Sequence, residues 1–163
     1  MIVRILALVL VLGFGSRGHA APDTALPAAC LIERPGPALI ACVEHEAALI
    51  EQRSADRLRR FAATAQAASG AEIAAFERAL ATARRQRDAK TRERCQDADR
   101  TAEAICRLSE ARAFAAQAEA ELAEAQAQLG ATPYGGYVPR LEIRPLPRGG
   151  FIVDVIIDQA APN

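Results

Sequence analysis

Ser69-Gly70-Ala71-Glu72 is the stretch that decides how this chain folds, because it interrupts a helical pattern that runs on both sides of it. The serine hydroxyl can accept from the backbone amide three residues on, and the glutamate can reach back to the serine amide. That is a capping box, so one helix stops here and another starts. Upstream, Leu39, Val43, Ala47, Ile50, Ser54, Leu58, Phe61, Ala65 and Ala68 recur at three- and four-residue steps, one stripe of an amphipathic helix. Pro37 suits the first turn of that helix, where its missing N–H costs nothing.

Downstream, Ile73, Phe76, Leu80, Ala83, Arg87, Lys90 and Arg94 make a second stripe, and Ile105, Leu108, Ala111, Ala115, Ala118, Leu122, Ala125 and Leu129 a third. No glycine or proline falls between Ala71 and Leu129. One helix of about 59 residues, roughly 90 Å long, is therefore one reading. A break near Asp97-Ala98-Asp99-Arg100-Thr101 is the other and is slightly favoured, since Asp and Thr cap helices well.

After Gly130 come Pro133, Gly135, Gly136 and Pro139, a linker that carries Tyr134 and Tyr137. Leu141 to Arg144 and Phe151 to Ile157 then flank Pro147-Arg148-Gly149-Gly150, and their alternation predicts a β-hairpin. Phe151, Val153, Val155 and Ile157 would share one face. A lone hairpin is marginal in water, so it is expected to pack on the helices or on a second copy. The expected organisation is a signal peptide at 1–20, a Pro-rich extended arm at 21–37, a helical hairpin domain at 38–129, a Gly/Pro linker at 130–139 and a β-hairpin at 140–158. The fold class is mainly α.

The four cysteines sit two on each side of the turn. Cys42 and Cys95 centre on position 68.5, and Cys30 and Cys106 on 68. In an antiparallel helical hairpin, residues equidistant from the turn lie side by side, which favours nested bridges Cys42–Cys95 and Cys30–Cys106. The rival is local pairing, Cys30–Cys42 and Cys95–Cys106. Within one continuous helix Cys95 and Cys106 could not meet, because a disulfide needs Cα atoms within ~7 Å. Local pairing therefore demands a sharp turn near Asp97.

Arg4, the apolar run Ile5 to Phe14 and Gly18-His19-Ala20 have the three parts of a secretory signal, with cleavage expected near Ala20. The apolar run is too short to span a ~30 Å hydrocarbon layer comfortably. Pro27-Ala28-Ala29-Cys30 loosely resembles a lipoprotein cleavage site, but Pro27 stands where an aliphatic residue is wanted. Periplasmic or secreted residence follows, where four cysteines read as two disulfides. The 20 basic residues less Arg4 and Arg17 leave 18 against 20 acidic, a net charge of −2. That balance argues against nucleic acid as the main partner, since phosphate contacts need a basic excess.

No catalytic order, phosphate loop or metal motif stands out, and no cofactor is implied. Glu44-His45-Glu46 are neighbours on a helix and do not converge on one site. The densest charge runs from Arg84 to Arg94, with six basic residues and two acids. Most of it reads as a solvated face laced by i,i+4 pairs. Arg84, Arg87 and Arg94 are the candidate partner-binding residues, because Arg87 and Arg94 fall on the apolar stripe. Glu110, Glu119, Glu121 and Glu124 read as a solubilising face, with docking of a cationic protein as the minor reading.

Phe76-Glu77-Arg78-Ala79-Leu80 through Arg87-Asp88 to Cys95, followed by Cys106-Arg107-Leu108-Ser109-Glu110-Ala111-Arg112, resembles the LprI-type lysozyme inhibitor family. The resemblance covers roughly Cys30 to Leu122. It implies a small envelope protein with four cysteines in a helical domain that binds a peptidoglycan-degrading enzyme, and it assigns no inhibitory residue. The expected function is thus an exported, non-enzymatic protein-binding module of the cell envelope. The alternative is a structural coiled coil or homo-dimerisation protein built on the long stripe from Ile105 to Leu129.

Overall fold

Gly36, at φ +133°, turns the chain so that Pro37 can open the first helix. The Ile40 amide donates to the Gly36 carbonyl (3.1 Å), which closes the first turn. The computed structural model describes residues 25–32, 35–65, 70–97, 99–131, 137–147 and 149–159. Its elements are a 3-10 turn at Ala28–Cys30, α1 at Pro37–Ala65, α2 at Gly70–Cys95, α3 at Arg100–Ala131, β1 at Tyr137–Pro145 and β2 at Phe151–Gln159. The signal segment, Ser69 of the capping box and Tyr134 lie outside the described residues. Glu72 stands in the first turn of α2, where a carboxylate complements the helix dipole.

The α1 and α3 stripes bury against each other, and the two helices run parallel. Leu39, Val43 and Ala47 cluster with Ala104, Leu108 and Ala111. Farther along, Ala55, Leu58 and Ala62 cluster with Phe114, Ala118 and Leu122. The Arg57–Glu119 ion pair (2.5 Å) lies at the same level. From α2, the apolar residues Phe76, Leu80 and Ala83 join only the second of these clusters. Beyond Ala83 its buried positions are Arg87, Thr91 and Cys95. They replace the Lys90 and Arg94 of the expected stripe, since three successive four-residue steps swing the buried face round the helix.

The chain breaks between α2 and α3. Asp97 Oδ1 accepts from the Asp99 amide (2.9 Å), and Asp99 Oδ1 accepts from the Thr101 amide (2.8 Å), so Asp99 caps α3. This corner corrects the expected disulfides. The bridges are Cys30–Cys42 and Cys95–Cys106, with Cα separations of 5.8 and 5.5 Å, rather than Cys42–Cys95 and Cys30–Cys106. Cys95 ends α2 and Cys106 lies in the second turn of α3, so the reversal brings the two face to face. At the other end, the arm does not stay extended as expected. The Cys30 amide donates to Pro27 O (2.9 Å) in the 3-10 turn, and the turn at Gly36 folds buried Cys30 back onto α1.

The hairpin is antiparallel, from Tyr137↔Gln159 to Pro145↔Phe151. The strand therefore begins inside the expected linker, and Pro139 pairs with Ile157. Leu141, Ile143, Phe151 and Val153 bury one face in the helical core, while Ile157 at the far end stays exposed. Gly149, at φ +88°, forms the turn, and a Cβ there would lie 3.3 Å from the Arg87 Cα. The hairpin tip thus rests directly on α2.

Candidate functional site

The three candidate arginines meet different fates. Arg87 is only 4% exposed. Its Nη2 donates to Glu51 Oε1 (2.7 Å) on α1, and its Cζ sits 4.6 Å above the Phe114 ring centroid on α3. Phe114 in turn meets Phe151 of β2, with ring centroids 5.5 Å apart. Arg87 is therefore the charged centre of the junction between the three helices and the hairpin, and its assignment to a partner surface is corrected. It reads as part of the apolar stripe because it occupies the core. Arg94 is exposed and donates to Glu110 (2.6 Å) across the α2–α3 corner. Arg87 and Arg94 border one 340 Å³ cavity beside Phe114, and Arg84 is not among its walls.

The acidic face of α3 is used within the molecule. Glu110 and Glu119 hold Arg94 and Arg57, and Glu121 accepts from the Val153 amide (2.9 Å), which pins β2 to the helix. Gln117 donates to the Phe151 carbonyl (2.6 Å) and does the same at the start of that strand. On the hairpin itself, the hydrogen bond that Arg144 donates to Asp154, and then the charge of that carboxylate, raise the Arg144 pKa above the ordinary guanidinium value.

Among the described residues, the most exposed large aliphatic side chains lie elsewhere. Leu31 is 66% and Ile32 85% exposed, directly after the buried Cys30. They stand in the loop closed by Cys30–Cys42. The segment leading into the loop is anchored, because Arg112 on α3 donates to the Ala25 carbonyl (2.6 Å) and Leu26 packs on the α1–α3 cluster. Two adjacent aliphatics in water at a crosslinked, anchored position form a presented feature. Sequence reasoning passed over them as part of the arm. The available signal was a Leu-Ile pair caught between a cysteine and two prolines.

A second cavity, of 430 Å³, separates α1 from the polar end of α2, with Glu44, Glu51, Asp88, Thr91, Arg92 and Arg107 in its walls. Among the described residues, no group of His, Cys, Asp and Glu could hold a metal ion, and no helix is long and apolar enough to cross a membrane. No family model matches the chain, and no curated protein or solved structure matches it either.

Proposed function

We propose that this chain is an exported, non-enzymatic protein-binding module of the cell envelope that docks its disulfide-closed loop onto a protein partner. The observation that carries this reading is the exposure of Leu31 and Ile32 beside the Cys30–Cys42 bridge. Burying an aliphatic side chain of this size contributes about 1.5–3 kcal/mol. A crosslinked loop also loses less freedom on docking than an open arm would. The two disulfides support residence in an oxidising compartment, reached after cleavage near Ala20. The partner class is a peptidoglycan-degrading enzyme such as lysozyme, on the strength of the sequence resemblance.

A lysozyme-protection assay tests this reading. Micromolar protein should slow lysis of cell walls, and Leu31→Asp with Ile32→Asp should abolish the effect while the helical circular dichroism stays unchanged. Equal protection by the double variant would overturn the loop assignment. The coiled-coil alternative has less support, since Leu108, Ala111, Ala118, Leu122 and Ala125 are already covered within one chain. Sedimentation as an elongated dimer would favour it.

A further inference from the structure

The two edges of the hairpin are finished differently, and its hydrogen bonds show how. The Leu146 amide donates to the Gly150 carbonyl (2.8 Å), so that pair closes the ladder at the turn. In an antiparallel pair, residues that bond each other alternate with residues whose N–H and C=O point outward. With Pro145 opposite Phe151, the even-numbered residues therefore bond across the ladder and the odd-numbered ones face outward. Two contacts to α3 agree with this phase. The Phe151 carbonyl accepts from Gln117, and the Val153 amide donates to Glu121.

On β1 the outward positions include Pro139 and Pro145, which have no N–H to offer a further strand. On β2 they are Phe151, Val153, Val155, Ile157 and Gln159. Gln117 and Glu121 serve the first two, but Glu124, farther along α3, accepts from Gln128 instead (3.0 Å). The amides and carbonyls of Val155 and Ile157 have no outward partner among the described residues. Between Gln117 and Glu121 α3 advances about 6 Å, while β2 advances about 7 Å from Phe151 to Val153. Helix and strand run side by side, so α3, which ends at Ala131, stops about level with Ile157. The open half of the edge is also apolar on both faces. Ile156 lies half-buried on the outer face, and Ile157 is 43% exposed. A strand of that kind belongs inside a sheet, with a neighbour at each edge.

We propose that the open edge of β2 pairs with the same edge of a second copy, antiparallel and with the two-fold axis at Ile157, to make a continuous four-stranded sheet. Val155 then exchanges hydrogen bonds with Gln159 of the partner subunit, and Ile157 with Ile157 of the partner subunit, about six backbone bonds in all. Glu121 sets this register. A two-fold axis at Ile156 or Val155 sets Val153 against the partner strand, where Glu121 already holds the amide. A second copy fits because it brings a strand apolar on both faces with its open groups in phase, and the isologous contact buries Ile157 on both sides. Three paired residues per strand fall short of the roughly 1,200–2,000 Å² that stable interfaces bury, so the association is weak and concentration-dependent.

Sedimentation of the full, disulfide-intact chain from about 10 µM to 1 mM tests the proposal. The weight-average mass should climb toward twice that of the monomer. Hydrogen exchange of the Val155 and Ile157 amides should slow as it does, with that of Val153 unchanged. Ile157→Pro removes only an outward N–H, as Pro139 opposite it does on β1, and should leave a monomer with unaltered circular dichroism. Ile157→Lys keeps that N–H but sets like charges opposite each other. It should weaken association by about tenfold or more, and it decides the matter if the proline variant fails to fold. A chain that stays monomeric at about 1 mM overturns the proposal. So does a dimer that both variants form as readily as the parent, since its contact then lies on another surface. Leu31→Asp with Ile32→Asp should dimerise as the parent does, so this edge and the docking loop stand or fall separately.

Discussion

Glu51→Gln tests whether the Arg87 junction stands on charge compensation or on shape. Arg87 is 4% exposed, and the Glu51 carboxylate is its ion-pair partner at 2.7 Å. Removing the partner strands a buried cation, which costs about 3–5 kcal/mol. Glu51 keeps some exposure to water, so the lower end, about 3 kcal/mol, is expected. For a chain of this size that corresponds to a fall of about 6–12 °C in Tm. Arg87→Met with Glu51→Gln removes both charges and keeps an unbranched side chain over the Phe114 ring. The sulfur replaces a cation–π contact worth ~0.5–2 kcal/mol with one of ~0.3–1.5 kcal/mol. The double variant should therefore recover to within about 1 kcal/mol of the parent. Urea unfolding followed by circular dichroism, with disulfides intact, reads all three proteins at a common m-value. A double variant as unstable as Glu51→Gln alone would refute the reasoning, because the loss would then follow shape rather than uncompensated charge.

Non-reducing tryptic digestion should join the Cys95 and Cys106 peptides and leave Cys30 and Cys42 bridged within one peptide, since trypsin does not cut Arg34–Pro35, and a Cys42–Cys95 link would contradict the fold. Replacing Cys95 and Cys106 together by serine opens a closure of 11 residues. That should cost about 2–4 kcal/mol in urea unfolding, and an unchanged midpoint would show that the α2–α3 corner holds without its bridge. Gly149→Ala forces a side chain into a left-handed position and against the Arg87 backbone. A loss of about 1–2 kcal/mol is expected, and no loss in thermal unfolding would place the hairpin tip elsewhere.

Much of the fold was legible because it depends on local periodicity. The stripe from Leu39 to Leu58 and that from Leu108 to Ala125 name core residues directly, Pro37 marks a helix start, and Phe151 and Val153 show which hairpin face is buried. Phe114 escaped the α3 stripe, which stepped from Ala111 to Ala115. It is buried because Arg87 and Phe151 close over it from two other elements.

Sequence alone thus determined helical segments on either side of Gly70, with one helix or two left open over 71–129, and a paired ribbon at the end, since each follows from the residues within one segment. Tertiary structure alone decided which cysteines meet, where the Arg87 charge goes and that a polar cleft remains beside α1. These outcomes depend on the reversal capped by Asp99 and on Glu51, 36 positions from Arg87. Periodicity tells which side of a helix is covered. What covers it is settled only when the helices turn against one another.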